Sequence, residues 1–227
     1  MNHFSVLTWL LSDRDHFLDE VRDRIKLETK IASLLITSSF LLAIYGGIMG
    51  LYSGGAQVIS SALKLPALYL ITLVVCLPTL YFFDLLLGSK LSFKQYVALG
   101  LALVASASVL LFSFAPIILF FLISVQGYNF FLLLNVLIMG ATGYISVRLF
   151  YSGMRSMPQH TNADENLRRQ LLQGWVVLYG LIGSQLGWTL SPFVGIRGEP
   201  FQIFRTELDG NFYAEVARAI SALLGLS

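Results

Sequence analysis

A run of 53 residues from Gln95 to Val147 contains no charged side chain. Three more charge-free runs accompany it, Ile31 to Leu63, Leu65 to Phe83 and Gln170 to Ile196. A charge at the centre of a bilayer span costs about 2.5–3.5 kcal/mol, so such runs mark where a chain can cross a membrane. One crossing takes about 20 apolar residues at a rise of about 1.5 Å each. The run from Gln95 to Val147 is too long for one helix and must fold back on itself.

The reversal is expected at Gln126-Gly127-Tyr128-Asn129, where turn formers and polar groups cluster. This predicts five spans, at about 31–52, 66–88, 96–125, 130–153 and 171–190. Each must be helical, because an open strand would leave backbone groups unsatisfied in lipid. The short alternating segments of a β-barrel are missing from the pattern. Pro116 is expected to kink the long third span and Pro78 to bend the second.

Composition agrees with this reading. The chain is 56% hydrophobic and 12% charged, with a mean hydropathy of +0.73. Soluble domains carry roughly 25% charged residues, so a soluble monomer is excluded. A formal net charge of +2 is too small for a nucleic-acid partner. The single cysteine, Cys76, rules out an intrachain disulfide or a cysteine-based zinc cluster, and its apolar setting reads as an inert buried thiol.

Orientation follows from the basic residues. Eleven of them (Arg14, Arg22, Arg24, Lys26, Lys30, Lys90, Lys94, Arg148, Arg155, Arg168 and Arg169) fall on one side of the five-span scheme, and four (Lys64, Arg197, Arg205 and Arg218) on the other. The positive-inside rule then puts the N-terminus in the cytoplasm and the C-terminal tail outside. Phe4 to Leu11 is too short and too poorly flanked for a cleavable signal, and reads as an interfacial patch anchored by Phe4 and Trp9.

The predicted fold class is all-α, a polytopic membrane protein built as a five-helix transmembrane bundle with amphipathic terminal helices. Residues 1–30 form a cytoplasmic amphipathic segment, 31–190 the bundle, and 191–227 an extracytoplasmic loop with a short amphipathic helix. In the N-terminal segment the expected helix runs from Ser12 to Lys30. Ser12 and Asp15 resemble a capping box, Phe17, Val21 and Ile25 share a face, and Glu20 and Arg24 sit at the i,i+4 spacing of an ion pair. Near the C-terminus, Val216, Ile220, Leu223 and Leu224 line one face of a helix from about 212 to 226.

Small residues at four-residue spacing let helix backbones approach closely in lipid. Gly46, Gly50 and Gly54 form one such stripe, and Gly183 with Gly187 another. Gly100, Ala102, Ala105, Ser106, Ala107 and Ser108 add a small-residue band. These faces serve packing within the bundle or a homo-oligomer. Asp84 in the second span and Arg148 in the fourth lie at similar depth, and are expected to form a structural ion pair, with independent snorkelling or a proton or ion path as alternatives. Asn135 and Gln185 are deeper polar candidates for interhelical hydrogen bonds.

Catalytic patterns are sparse. His3, His16 and His160 lie outside the spans without metal-ligand spacing. Gly183-Ser184 starts like a nucleophile elbow, but Ile182 stands where that pattern needs glycine, and no histidine lies within a span. Neither an enzyme nor a cofactor is expected. The tail is more distinctive: Pro192-Phe193 and Pro200-Phe201, with Phe204-Arg205 after them, make a constrained aromatic loop. It caps the bundle or docks another subunit.

Lys64-Leu65-Pro66, Cys76-Leu77-Pro78, the stretch Leu87 to Ser92 and Ala115-Pro116, together with the tail from Trp188 to Arg205, resemble uncharacterised bacterial multispanning membrane proteins loosely related to the Yip1-type family. The resemblance covers about Lys64 to Ser227 and implies a five-helix bundle with a cytoplasmic N-terminus. The long polar N-terminal region that eukaryotic Yip1-type proteins carry is missing, so no binding residue and no trafficking role is transferred. The expected function is a non-enzymatic membrane scaffold, assembly factor or accessory subunit, with membrane lipids and a homo-oligomer or larger membrane complex as partners. The alternative is a small channel or transporter.

Overall fold

A computed structural model describes residues 3–125, 127–157, 165–195, 201–204 and 210–225. Gln126, His160, Arg197, Pro200 and Arg205, all used above, lie outside the described residues. Among those described, the regular structure is entirely helical: α1 (His3–Ser12), α2 (Arg14–Arg22), α3 (Leu27–Gly50), α4 (Ala56–Leu86), α5 (Phe93–Ser124), α6 (Tyr128–Ser156), α7 (Glu165–Leu190) and α8 (Phe212–Leu223).

Four of these, α3 to α6, are long and apolar enough to cross a bilayer. The chain is therefore an all-α protein with the helices of an integral membrane protein. The fifth predicted span corresponds to α7, which is not among the four. Its sequence explains why: Gln170, Gln173 and Gln185 and four glycines dilute its apolar residues. α4 begins at Ala56, ten residues before the predicted span, so Lys64 sits within a helix and not in a connection. α5 carries Pro116 in its interior, as expected from the sequence.

The chain divides into two compact units, and each long helix contributes a segment to both. The first comprises residues 1–39, 70–107 and 144–182. In it the N-terminal segment departs from the single helix expected over 12–30. Asp13, not Ser12, caps α2 by accepting from the His16 N–H at 3.2 Å, while Ser12 bonds back to the Thr8 carbonyl at the end of α1. α2 buries Phe17, Leu18 and Val21. It stops at Arg22 because Arg24 and Lys26 adopt left-handed backbone angles, φ 60° and 47°. That turn carries Ile25 off the shared face and leaves it exposed. Gln95 closes the turn from α5, its amide donating to the carbonyls of Val21 (3.0 Å) and Arg22 (2.9 Å). Glu20 pairs not with Arg24 but with buried Lys30, at 2.8 Å.

The second unit comprises residues 40–69, 108–143 and 183–227. Here α3 and α4 form a tight helical hairpin. A Cβ at Gly46 would lie 2.3 Å from the Ser61 carbonyl oxygen, and one at Gly50 would lie 2.6 Å from that of Gln57. Only glycine fits at either position, so these two residues are used in packing α3 on α4 of the same chain. Gly54 does not extend the stripe. It lies beyond α3 in the connection, with φ +75° and nothing within 4 Å of its Cβ direction, and serves the turn.

Candidate functional site

Two polar constellations form, one in each unit. In the first, Asp84 on α4 is fully buried. Its Oδ1 accepts from Arg168 Nε at 3.0 Å, and its Oδ2 accepts from Arg168 Nη2 at 3.4 Å. Tyr96 on α5 donates its hydroxyl to the same Oδ2 at 2.5 Å and lies 2.8 Å from Ser89 Oγ. A buried carboxylate needs both a counter-charge and donors for its lone pairs, and this one has both. Trp175, two helical turns beyond Arg168 on α7, donates its indole N–H to the Cys76 carbonyl at 2.8 Å. The two contacts tie α7 to α4 along one face.

The predicted Asp84–Arg148 pair is corrected by this geometry. Arg168 takes the place at Asp84, and Arg148 is exposed with its guanidinium 4.7 Å from the centre of the Tyr144 ring. The reason lies in where α7 starts. Beginning at Glu165, six residues before the predicted span, it brings Arg168 into the helix. The sequence held a usable signal: Arg168, Leu172, Trp175 and Tyr179 recur at spacings of four, three and four, and all four are buried.

The second constellation fixes the loop after α7. Three side chains on one face of α4 reach it. Gln57 donates its amide to the Pro192 carbonyl at 2.7 Å, and Ser61 donates to the Phe193 carbonyl at 2.5 Å. Lys64 donates to the Pro192 carbonyl at 3.2 Å and also to the carbonyl of Ile203. The spacing 57, 61, 64 aligns the three on one helical face. Gly195, at φ +65°, passes so close that a Cβ there would lie 2.5 Å from Ser53 Oγ. The Lys64 ammonium stands 5.1 Å from the centre of the Phe204 ring, within cation–π range.

Of the predicted tail residues, Pro192 and Phe193 are half-buried and held through their carbonyls. Phe201, Ile203 and Phe204 are 46%, 58% and 54% exposed. Pairing of Lys64 and Gln57 with backbone carbonyls was not legible beforehand, because any carbonyl acceptor is invisible in a residue pattern. Asn135 is buried in the same unit, accepting from the Tyr45 hydroxyl at 3.1 Å and donating to the Phe131 carbonyl at 2.8 Å. Gln185 is exposed on α7. Gly183 is half-buried, and Gly187 faces Leu68 at an ordinary 3.8 Å.

Chemically, most polar groups of both constellations are taken up in structural bonds. The Asp84 carboxylate, the Gln57 amide and the Tyr96 and Ser61 hydroxyls hold helices and loop together, while buried Ser53 Oγ has no hydrogen-bond partner among the described residues. No protein-family model matches the chain, and no characterised protein or solved structure matches it either.

Proposed function

We propose that the chain is a non-enzymatic integral membrane scaffold, assembly factor or accessory subunit of a membrane complex, placed in a bacterial cytoplasmic membrane. In this reading it crosses the bilayer five times, with α7 as the fifth span, the N-terminus in the cytoplasm and the loop after α7 outside. The observation that carries the reading is the clamped loop. Gln57, Ser61 and Lys64 spend three buried polar side chains on fixing its backbone, while Phe201, Ile203 and Phe204 stay exposed. Holding a backbone still while presenting apolar rings lowers the ordering cost of association, and aromatic anchors dominate binding energy at interfaces.

A channel or transporter reading rests on Asp84, Arg148, Asn135, Gln185 and the serines of the third span, of which Ser106 and Ser113 bond back to the Ala102 and Val109 carbonyls of their own helix. Asp84 and Asn135 are each engaged in bonds inside the chain, and Arg148 and Gln185 are exposed. Polar residues so engaged act as joints between helices more readily than as a path.

The test is purification of the tagged chain in mild detergent, beside a Phe201→Ser/Phe204→Ser variant. A stoichiometric partner should accompany the parent and fall at least tenfold in the variant, with stability lowered by no more than about 1 kcal/mol, the worth of the Lys64–Phe204 cation–π contact. A chain that purifies alone and drives solute flux in liposomes would overturn the scaffold reading in favour of the transporter.

A further inference from the structure

The second unit contains an open-sided cavity of about 120 Å³ whose walls are almost wholly apolar. Its long wall is one face of α6, where Tyr128, Leu132, Val136 and Met139 follow one another at helical spacing. At about 1.5 Å per residue these four span about 16 Å, so the cavity is a slot running down the helix. Trp188 of α7 and Phe212, Glu215 and Val216 of α8 also line it. An apolar cavity of about 150 Å³ stays dry and takes up apolar molecules, and α6 is among the helices apolar enough to lie in a bilayer.

We propose that this slot is a binding site for part of one acyl chain, a few methylenes long, with the rest of the chain outside its open side. Slot shape, apolar walls and position on a membrane-spanning helix specify that occupant. Glu215, which also lines the slot, pairs with Arg218 at 3.3 Å, so its carboxylate has a counter-charge on its own helix. Asn135 also lines the slot, its carbonyl accepting from Tyr45 and its amide donating to the Phe131 carbonyl. The same acyl chemistry comes from a membrane phospholipid or from a free fatty acid. The inference needs the embedding of α6 in a bilayer, but not the partner-binding role proposed above.

The full chain is reconstituted in phosphatidylcholine vesicles containing phosphatidylcholine with a mid-chain photoreactive diazirine, irradiated, and its adducts are located by mass spectrometry. Ile123 and Val74, 82% and 69% exposed, report ordinary lipid contact. Trp188, only 7% exposed, reports the slot. The expected result is labelling of Trp188 and Met139 at least equal to that of Ile123 and Val74. In Val136→Phe, which fills the slot, it should fall threefold or more while Ile123 labelling holds. Val216→Phe blocks the slot from α8 and gives the same answer should Val136→Phe not fold. In a second arm, a diazirine fatty acid is added to vesicles of unmodified phosphatidylcholine: labelling of Trp188 there assigns the chain to a free fatty acid, and labelling only in the first arm assigns it to phospholipid. Adducts that follow exposure, with Ile123 and Val74 labelled and Trp188 bare, would overturn the proposal. So would slot labelling that neither filling variant reduces.

Discussion

Arg168→Gln should cost about 3–5 kcal/mol of stability, read as a large drop in the unfolding midpoint of the detergent-solubilised protein. Removing one member of a buried pair leaves the other charge uncompensated, and that penalty has this size. Asp84 has no exposure at all and, among the described residues, would retain only the Tyr96 hydroxyl as a donor. Asp84→Asn should also destabilise, by removing the buried counter-charge that faces the guanidinium. The double variant should recover much of the loss, giving a strong coupling term in the double-mutant cycle. Arg148→Gln provides the contrast. Exposed over an exposed Tyr144 ring, it should change stability by no more than about 1 kcal/mol, the worth of a surface cation–π contact. A large Arg148 effect coupled to Asp84 would return the partnership to the pair expected from the sequence.

Gly46→Val should be the most damaging substitution in the second unit. Even its Cβ would sit 2.3 Å from the Ser61 carbonyl oxygen, which is backbone and has no side-chain rotamer to escape into. The hairpin of α3 and α4 must open, and overpacking of this kind costs about 1–3 kcal/mol or more. Gly187→Ala should be near neutral, within about 0.5 kcal/mol, because its new methyl meets Leu68 at van der Waals distance. Gly54→Ala falls between them. It meets no atom, but φ +75° imposes a left-handed penalty of about 1–2 kcal/mol. Thermal melts of the three variants in one detergent give the ranking. If Gly46→Val melted with the parent, the close approach of α3 to α4 would be refuted.

What the sequence made legible was governed by length and charge. The runs free of charge located α3 to α6 to within a few residues at most ends, because hydrocarbon tolerates neither charges nor open backbone. Two kinds of feature escaped. Helix starts were set by polar residues that looked like loop: α4 takes in Lys64, and α7 takes in Arg168, each engaged by a partner far along the chain. Once Arg168 counts as helical, its partnership with Asp84 follows from burial, and Arg148 is released to the surface. The other escape was backbone geometry. The left-handed angles at Arg24 and Lys26 break the N-terminal segment, and no pattern of apolar residues announces them. Pro192 and Phe193 are held by side chains on α4, some 130 positions away, that bond to their carbonyl groups, which no residue pattern in the tail announces. The helix from 212 also leaves Ile220, Leu223 and Leu224 exposed, with Ala219 the buried residue.

The Asp84–Arg168 and Trp175–Cys76 contacts bear on α7 itself. A helix diluted by glutamine and glycine inserts poorly alone, but polar groups on its buried face gain partners once it joins a bundle. The account thus turns on α7 crossing the membrane as a fifth span, which puts the clamped loop on the side opposite the N-terminus. Cysteine accessibility measures this directly. In a Cys76→Ser background, single cysteines at Ser12 and Gly210, both exposed, are tested in intact cells and in inverted vesicles with a membrane-impermeant maleimide. Five spans require the Gly210 cysteine to label in cells and the Ser12 cysteine only in inverted vesicles. Labelling of both from the same side would leave an even number of crossings and contradict α7 as a span.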